Sequence, residues 1–151
     1  MLNRLTAIFE SFQEHEVKYL VIGGIAAILH GIPRTTFDLA LPIEATPENA
    51  ARLLAALLAA GLGTAALTDV ESLLAHEITV FKDRGRIDGQ TATPGLRFQD
   101  AWERRVTMNY HDQTFFVVSL SDLIASKRAA GRGKDLEDVR LLELAVRKES
   151  L

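Results

Sequence analysis

Two spacings of apolar side chains alternate along this chain and mark its predicted elements. Apolar positions three or four residues apart predict helices, and continuous β-branched runs predict buried strands. The helical spacing covers residues 2–14, 25–30, 46–60, the short stretch opening at 68–71, the helix face at 98, 102 and 106, residues 119–130, and residues 135 to the end. The strand pattern covers residues 17–22, 37–43, 76–81, 86–92 and 113–118.

Cap and turn residues support these boundaries. Thr46 and Pro47 place an N-cap hydroxyl and a proline where a helix begins. Residues 82–85 fit a four-residue hairpin between two strands, which requires one antiparallel pair in an otherwise alternating order of strands and helices. We therefore predict an α/β (α+β) fold, a mixed sheet of about five strands flanked by helices, in a single domain spanning residues 1–151.

The composition narrows the classes of function. With 48% hydrophobic and 25% charged residues, the chain fits a globular protein, and no apolar run reaches the roughly 18 residues that a membrane helix needs. We predict a cytoplasmic protein with no membrane partner. The absence of cysteine excludes disulfides, thiolate zinc sites and cysteine nucleophiles. A net charge of −3 argues against tight nucleic-acid binding through overall charge.

Three features that are predicted to lie close together carry candidate chemistry. Gly23 and Gly24 follow a strand, where they allow the backbone to approach an anion, although such a pair is more often only a tight turn. Asp38 lies on the next strand, and Ala40 points to the same face, where a second acid would complete a carboxylate pair able to hold a metal. Asp88 is another acid within an apolar strand, and it is either an exposed-face residue or a ligand.

Residues 19–38 resemble the signature of the minimal nucleotidyltransferases of the polymerase-β-like superfamily. That signature is a hydrophobic strand, Gly-Gly, a short helix and loop, and then Asp-x-Asp. Residues 93–101 and 123–139 resemble the corresponding segments of bacterial nucleotidyltransferases of the abortive-infection and toxin–antitoxin group. The resemblance spans roughly residues 17–140 and implies the nucleotidyltransferase fold.

This resemblance implies transfer of a nucleoside monophosphate from a nucleoside triphosphate to an acceptor hydroxyl on RNA (for example tRNA) or protein, with pyrophosphate leaving. It implies Mg²⁺ or Mn²⁺ as the cofactor and a cognate antitoxin or toxin as a partner. Asp38 and Asp88 are then the catalytic and metal-binding residues. The implied nucleotide-binding residues are Gly23, Gly24, Arg34, Lys127, Arg132 and Lys134.

Ala40 departs from the Asp-x-Asp pattern, because a methyl group cannot bind a metal ion. Three interpretations stay open: a naturally degenerate member, a variant made to trap a substrate, or a site that uses one metal ion held by Asp38 and Asp88. In each case we expect reduced metal affinity and slow or absent transfer. Two further hypotheses are a non-catalytic partner-binding module, such as an antitoxin-like component, and an RNA-binding adaptor.

Overall fold

The computed structural model describes residues 2–33, 38–83, 85–110 and 112–149. In these ranges the chain forms seven α-helices, one 3-10 helix and five strands. The helices are α1 (Leu2–Glu14), α2 (Gly23–Leu29), α3 (Pro47–Ala59), the 3-10 helix (Gly63–Leu67), α4 (Val70–Ala75), α5 (Phe98–Glu103), α6 (Leu120–Ala130) and α7 (Gly133–Glu149). The strands are β1 (Asp38–Pro42), β2 (Ile78–Lys82), β3 (Arg86–Gln90), β4 (Val106–Tyr110) and β5 (Gln113–Val117). None of the helices in the described ranges combines the length and the apolar character needed to cross a bilayer.

The strands form a mixed sheet and a separate hairpin. In the three-stranded sheet the order is β1-β3-β2, with β1 parallel to β3 and β2 antiparallel to β3. Strands β4 and β5 form an antiparallel pair. The predicted α+β class and a mixed sheet are confirmed, with the five strands divided into a sheet of three and a sheet of two. The predicted antiparallel pairing of β2 and β3 is also confirmed, although Lys82 belongs to β2 and Arg84 of the predicted turn lies outside the described residues.

The segment 17–22 connects the two sheets. Its backbone amides reach β1 on one side, since Leu20 N donates to Pro42 O at 2.9 Å and Ile22 N donates to Ala40 O at 3.1 Å. On the other side, Val21 N donates to Phe116 O at 2.9 Å. The sequence predicts a regular strand here, whereas the structure has isolated bridges on both sides of an extended segment.

The prediction of a helix face that extends to Val106 is wrong. Helix α5 ends at Glu103, and Val106 is the first residue of β4. Residues 98, 102 and 106 have helical spacing, but Val106 pairs with Val117 of β5. This pairing across a turn cannot be inferred from local spacing.

The two faces of the three-stranded sheet have different surroundings. Leu39, Ile87 and Phe81 are buried on one face, where α3 covers the sheet. The contact is close at Gly89, where a Cβ atom would lie 3.7 Å from the Leu53 side chain of α3. Because side chains alternate along a strand, the intervening residues point to the other face. Val80 is 45% exposed there, and Asp38, Lys82 and Arg86 are also exposed. We call the surface formed by these side chains together with Ala40 and Asp88 the open face.

Candidate functional site

The open face of the sheet carries the two acids that the sequence singles out. Asp88 lies opposite Ala40 of β1 and Val80 of β2, so these three side chains share one face. Asp38 lies opposite Arg86, one step along the same face. Asp38 is exposed, and 17% of the Asp88 side chain is exposed. The structure thus places both carboxylates on neighbouring parallel strands with their side chains on a common surface.

Arg86 holds Asp88 through two hydrogen bonds. Its Nε donates to Oδ1 at 2.8 Å, and its Nη2 donates to Oδ2 at 3.3 Å. The hydrogen bond and the charge of Asp88 raise the pKa of the Arg86 guanidinium, and the negative charge of Asp38 raises it further. Arg86 is not among the site residues predicted from the sequence. Its spacing from Asp88 indicates a shared face all the same, because residues two apart on a strand point to the same side of the sheet.

Gly23 brings the start of α2 against Ala40. A Cβ atom at Gly23 would lie 3.6 Å from the Cβ of Ala40, and the φ angle of Gly23 is +75°, a conformation that side chains rarely adopt. Gly23 and Gly24 are the first two residues of α2, so this helix begins two residues earlier than the sequence predicts. The methyl group of Ala40 therefore faces the backbone of the diglycine.

The oxygen donors on this face suit one hard cation. Magnesium is commonly held by one or two carboxylates together with phosphate oxygens, and Asp38 and Asp88 supply two carboxylates. A third is missing because of Ala40, and within the described ranges no group of three His, Asp or Glu side chains comes close enough to hold a metal ion. The residues present fit a single divalent cation better than a pair of them.

Lys127 lies in a second cluster, where α6 packs on α7. Its Nζ is 2.8 Å from Asp138 Oδ2 and 3.8 Å from Asp135 Oδ1, and all three side chains are at most 5% exposed. Arg132 Nε donates to Asp135 Oδ2 at 2.6 Å. Burial raises the pKa of Asp135, but the hydrogen bond from Arg132 and the charges of Arg132 and Lys127 outweigh it, so the pKa lies below its ordinary value.

The predicted nucleotide-binding residues that the structure describes fall into three groups. Gly23 lies beside Ala40 and Gly24 follows it in α2, whereas Lys127 and Arg132 are engaged by the acids of α7. Lys134 is exposed in the first turn of α7. Arg34 lies outside the described residues. The nucleotide-binding role of each of these residues stays a prediction.

The comparisons with known proteins agree with the resemblance at the level of the family. Residues 2–148 match the family described as "Nucleotidyltransferase of unknown function (DUF6036)". This match spans both sheets and nearly the whole chain. A comparison with curated proteins gave no match.

Proposed function

We propose that the open face of β1, β3 and β2 binds a nucleoside triphosphate, since the chain belongs to this family of nucleotidyltransferases of unknown function. The observation that carries the proposal is the common face of Asp38 and Asp88 beside Gly23. Phosphoryl transfer depends mainly on positioning and on neutralising charge. On this surface the two carboxylates can hold a cation that neutralises charge, and the backbone at Gly23 can position the phosphates.

Asp38 and Asp88 are the residues that would hold Mg²⁺ or Mn²⁺ in this proposal. The cation that these two carboxylates would hold would supply positive charge against the triphosphate and against the pyrophosphate that leaves. Gly23 and Gly24 would let the phosphates lie close to the start of α2, because neither glycine carries a side chain of its own. The acceptor in this proposal is a hydroxyl group of RNA or protein.

Ala40 makes the proposed transfer weak or absent. It lies directly opposite Asp88, where a carboxylate would complete a centre of three acids. The loss of one ligand removes charge stabilisation worth several kcal/mol, by comparison with other metal-assisted reactions. The proposal is therefore a nucleotide-binding member of the family with impaired turnover.

Nucleotide binding and transfer of labelled nucleoside monophosphate, measured for the wild type and for Ala40→Asp, test this proposal. We expect Ala40→Asp to bind Mn²⁺ about tenfold more tightly and to raise the rate of transfer at least as much. Ala45→Asp is the matched control, because it adds the same charge at an exposed loop residue outside the sheet. If neither the wild type nor Ala40→Asp binds any nucleoside triphosphate at millimolar concentration, the proposal is wrong.

A further inference from the structure

We infer that Arg86 is a nucleotide-binding residue, whose guanidinium takes the place of one cation and allows the triphosphate to bind without a divalent metal ion. This inference rests on the proposed function, and it names a residue and a mode of binding that the resemblance does not include. It follows from the position of Arg86 on the open face, from its hydrogen bonds and from the charges around it.

The guanidinium of Arg86 is held in place on the open face. Asp88 engages the Nε and Nη2 atoms of Arg86, which fixes the plane of the guanidinium on the open face. An arginine side chain has five N–H donors, so three remain after these two hydrogen bonds. No other hydrogen-bond partner of Arg86 is present among the described residues, and 46% of its side chain is exposed. A phosphate group can therefore reach donors that are already held in place.

A triphosphate on the open face needs positive charge beside it. Asp38 and Asp88 both carry negative charge, and a nucleoside triphosphate adds further negative charge, so the phosphates need a cation nearby. Arg86 lies opposite Asp38 on β1 and opposite Lys82 on β2, which puts two exposed cationic side chains at the same end of the face. A guanidinium also matches the geometry of phosphate oxygens better than an ammonium group does.

Arg86 already occupies the carboxylate that a metal ion would need. Both oxygens of Asp88 already accept hydrogen bonds from Arg86, and Ala40 offers no oxygen opposite it. A divalent cation must therefore compete with Arg86 for the better buried of the two carboxylates. Arg86 gives the face a permanent positive charge, whereas a metal ion would have to displace it or rely on Asp38 and the phosphates.

The dissociation constants of ATP, GTP, CTP and UTP, measured by calorimetry in Mg²⁺ and in EDTA, test the inference. For the wild type we expect the dissociation constant of the best-bound triphosphate to differ by less than about threefold between the two buffers. We expect Arg86→Gln to raise this constant in EDTA by about tenfold or more. Arg86→Lys keeps the positive charge but lacks the paired N–H donors of a guanidinium, so its dissociation constant should lie between those of the wild type and Arg86→Gln. Arg97→Gln is the control, since Arg97 is 89% exposed in the loop before α5.

The outcomes separate the two proposals. If the wild type binds a triphosphate in Mg²⁺ but not in EDTA, or if folded Arg86→Gln binds as tightly as the wild type in EDTA, the inference about Arg86 is wrong while the proposed function stands. If the wild type binds no triphosphate in either buffer, the proposed function is wrong and the inference falls with it. Circular dichroism of each variant checks that it is folded.

Discussion

Ala40 and Arg86 together set the charge of the open face. An acid at position 40 would give three carboxylates on neighbouring strands, and the face instead has two carboxylates and a guanidinium hydrogen-bonded to one of them. Each of the two residues reduces the negative charge that attracts divalent cations. Substitutions at these two positions therefore test whether the proposed binding of a triphosphate to this face depends on a metal ion, on Arg86 or on both.

A side chain at Gly95 would meet a severe obstruction from α6. A Cβ atom there would lie 2.7 Å from the carbonyl oxygen of Ala125 and 2.9 Å from the Cβ of Ala129, and its φ angle is +80°. We expect Gly95→Ala to lower the free energy of unfolding by about 2–4 kcal/mol, because it adds a clash with α6 to the backbone strain. Urea denaturation measures the change.

Gly61→Ala is the matched control for this prediction. Gly61 has a φ angle of +92°, but nothing lies within 4 Å of the Cβ that would be added. Its cost should be the backbone strain alone, about 1 kcal/mol. Equal effects of the two substitutions would contradict the packing of the 93–96 loop against α6.

Asp135 gives the stability of the protein a dependence on acid pH. Its pKa in the folded protein lies below the ordinary value, so its ionised form stabilises the fold above that value, and this contribution is lost as the pH falls through the lower folded pKa. We expect the difference in unfolding free energy between the wild type and Asp135→Asn to be constant above about pH 5 and to shrink toward pH 2. Urea denaturation across this range measures it, and a difference that grows on acidification would contradict the prediction.

At the scale of elements, the segment 17–22 acts as a strand shared by two sheets. Its amides bond to β1 and β5, and Val118 N donates back to Val21 O at 3.2 Å. Amides bonded on both sides of a buried segment exchange only when the surrounding structure opens. We expect Leu20, Val21 and Ile22 to exchange as slowly as Leu41 in β1.

Hydrogen exchange followed by NMR measures this protection. Protection of residues 20–22 well below that of β1 would show that the two sheets open independently. Equal protection would show that they open together.

Much of the secondary structure can be predicted from sequence because its signals are local. The predicted N-cap at Thr46 is confirmed by the hydrogen bond from Asn49 N to Thr46 Oγ1. The helices predicted over 119–130 and from 68–71 also begin with caps, since Ser119 Oγ accepts from Asp122 N and the side chain of Asp69 accepts from Ser72 N. Caps of this kind depend on contacts within one helical turn.

The features that sequence reasoning missed depend on contacts between distant segments or on side-chain geometry. Strand β4 exists because it pairs with β5, and neither its length nor its composition shows that partner. The acids that surround Lys127 come from the next helix, so the burial of its ammonium group could not be seen from spacing alone. The sequence predicts that Asp38 and Asp88 lie close together, but the pairing of Asp88 with Ala40 and of Asp38 with Arg86 depends on the register between β1 and β3.

At the scale of the whole molecule, an aromatic cluster joins α1, the shared segment 17–22 and β5. The rings of Phe9 and Phe115 stack with their centroids 4.7 Å apart, and those of Phe12 and Tyr19 lie 4.8 Å apart. Tyr19 belongs to the shared segment, and its burial raises the pKa of its hydroxyl well above the ordinary value. The cluster is connected to the three-stranded sheet through the shared segment, because Leu20 N and Ile22 N donate to Pro42 O and Ala40 O of β1.

The position of Ala40 opposite Asp88 has a consequence for how this sequence can change by mutation. Codons for alanine differ from codons for aspartate or glutamate only in their second base, so a single point mutation at this position restores an acid. The strand register that would orient the new carboxylate toward Asp88 already exists. Under the proposed function, one nucleotide change in DNA then separates a member that binds a nucleoside triphosphate from one that also transfers its nucleoside monophosphate.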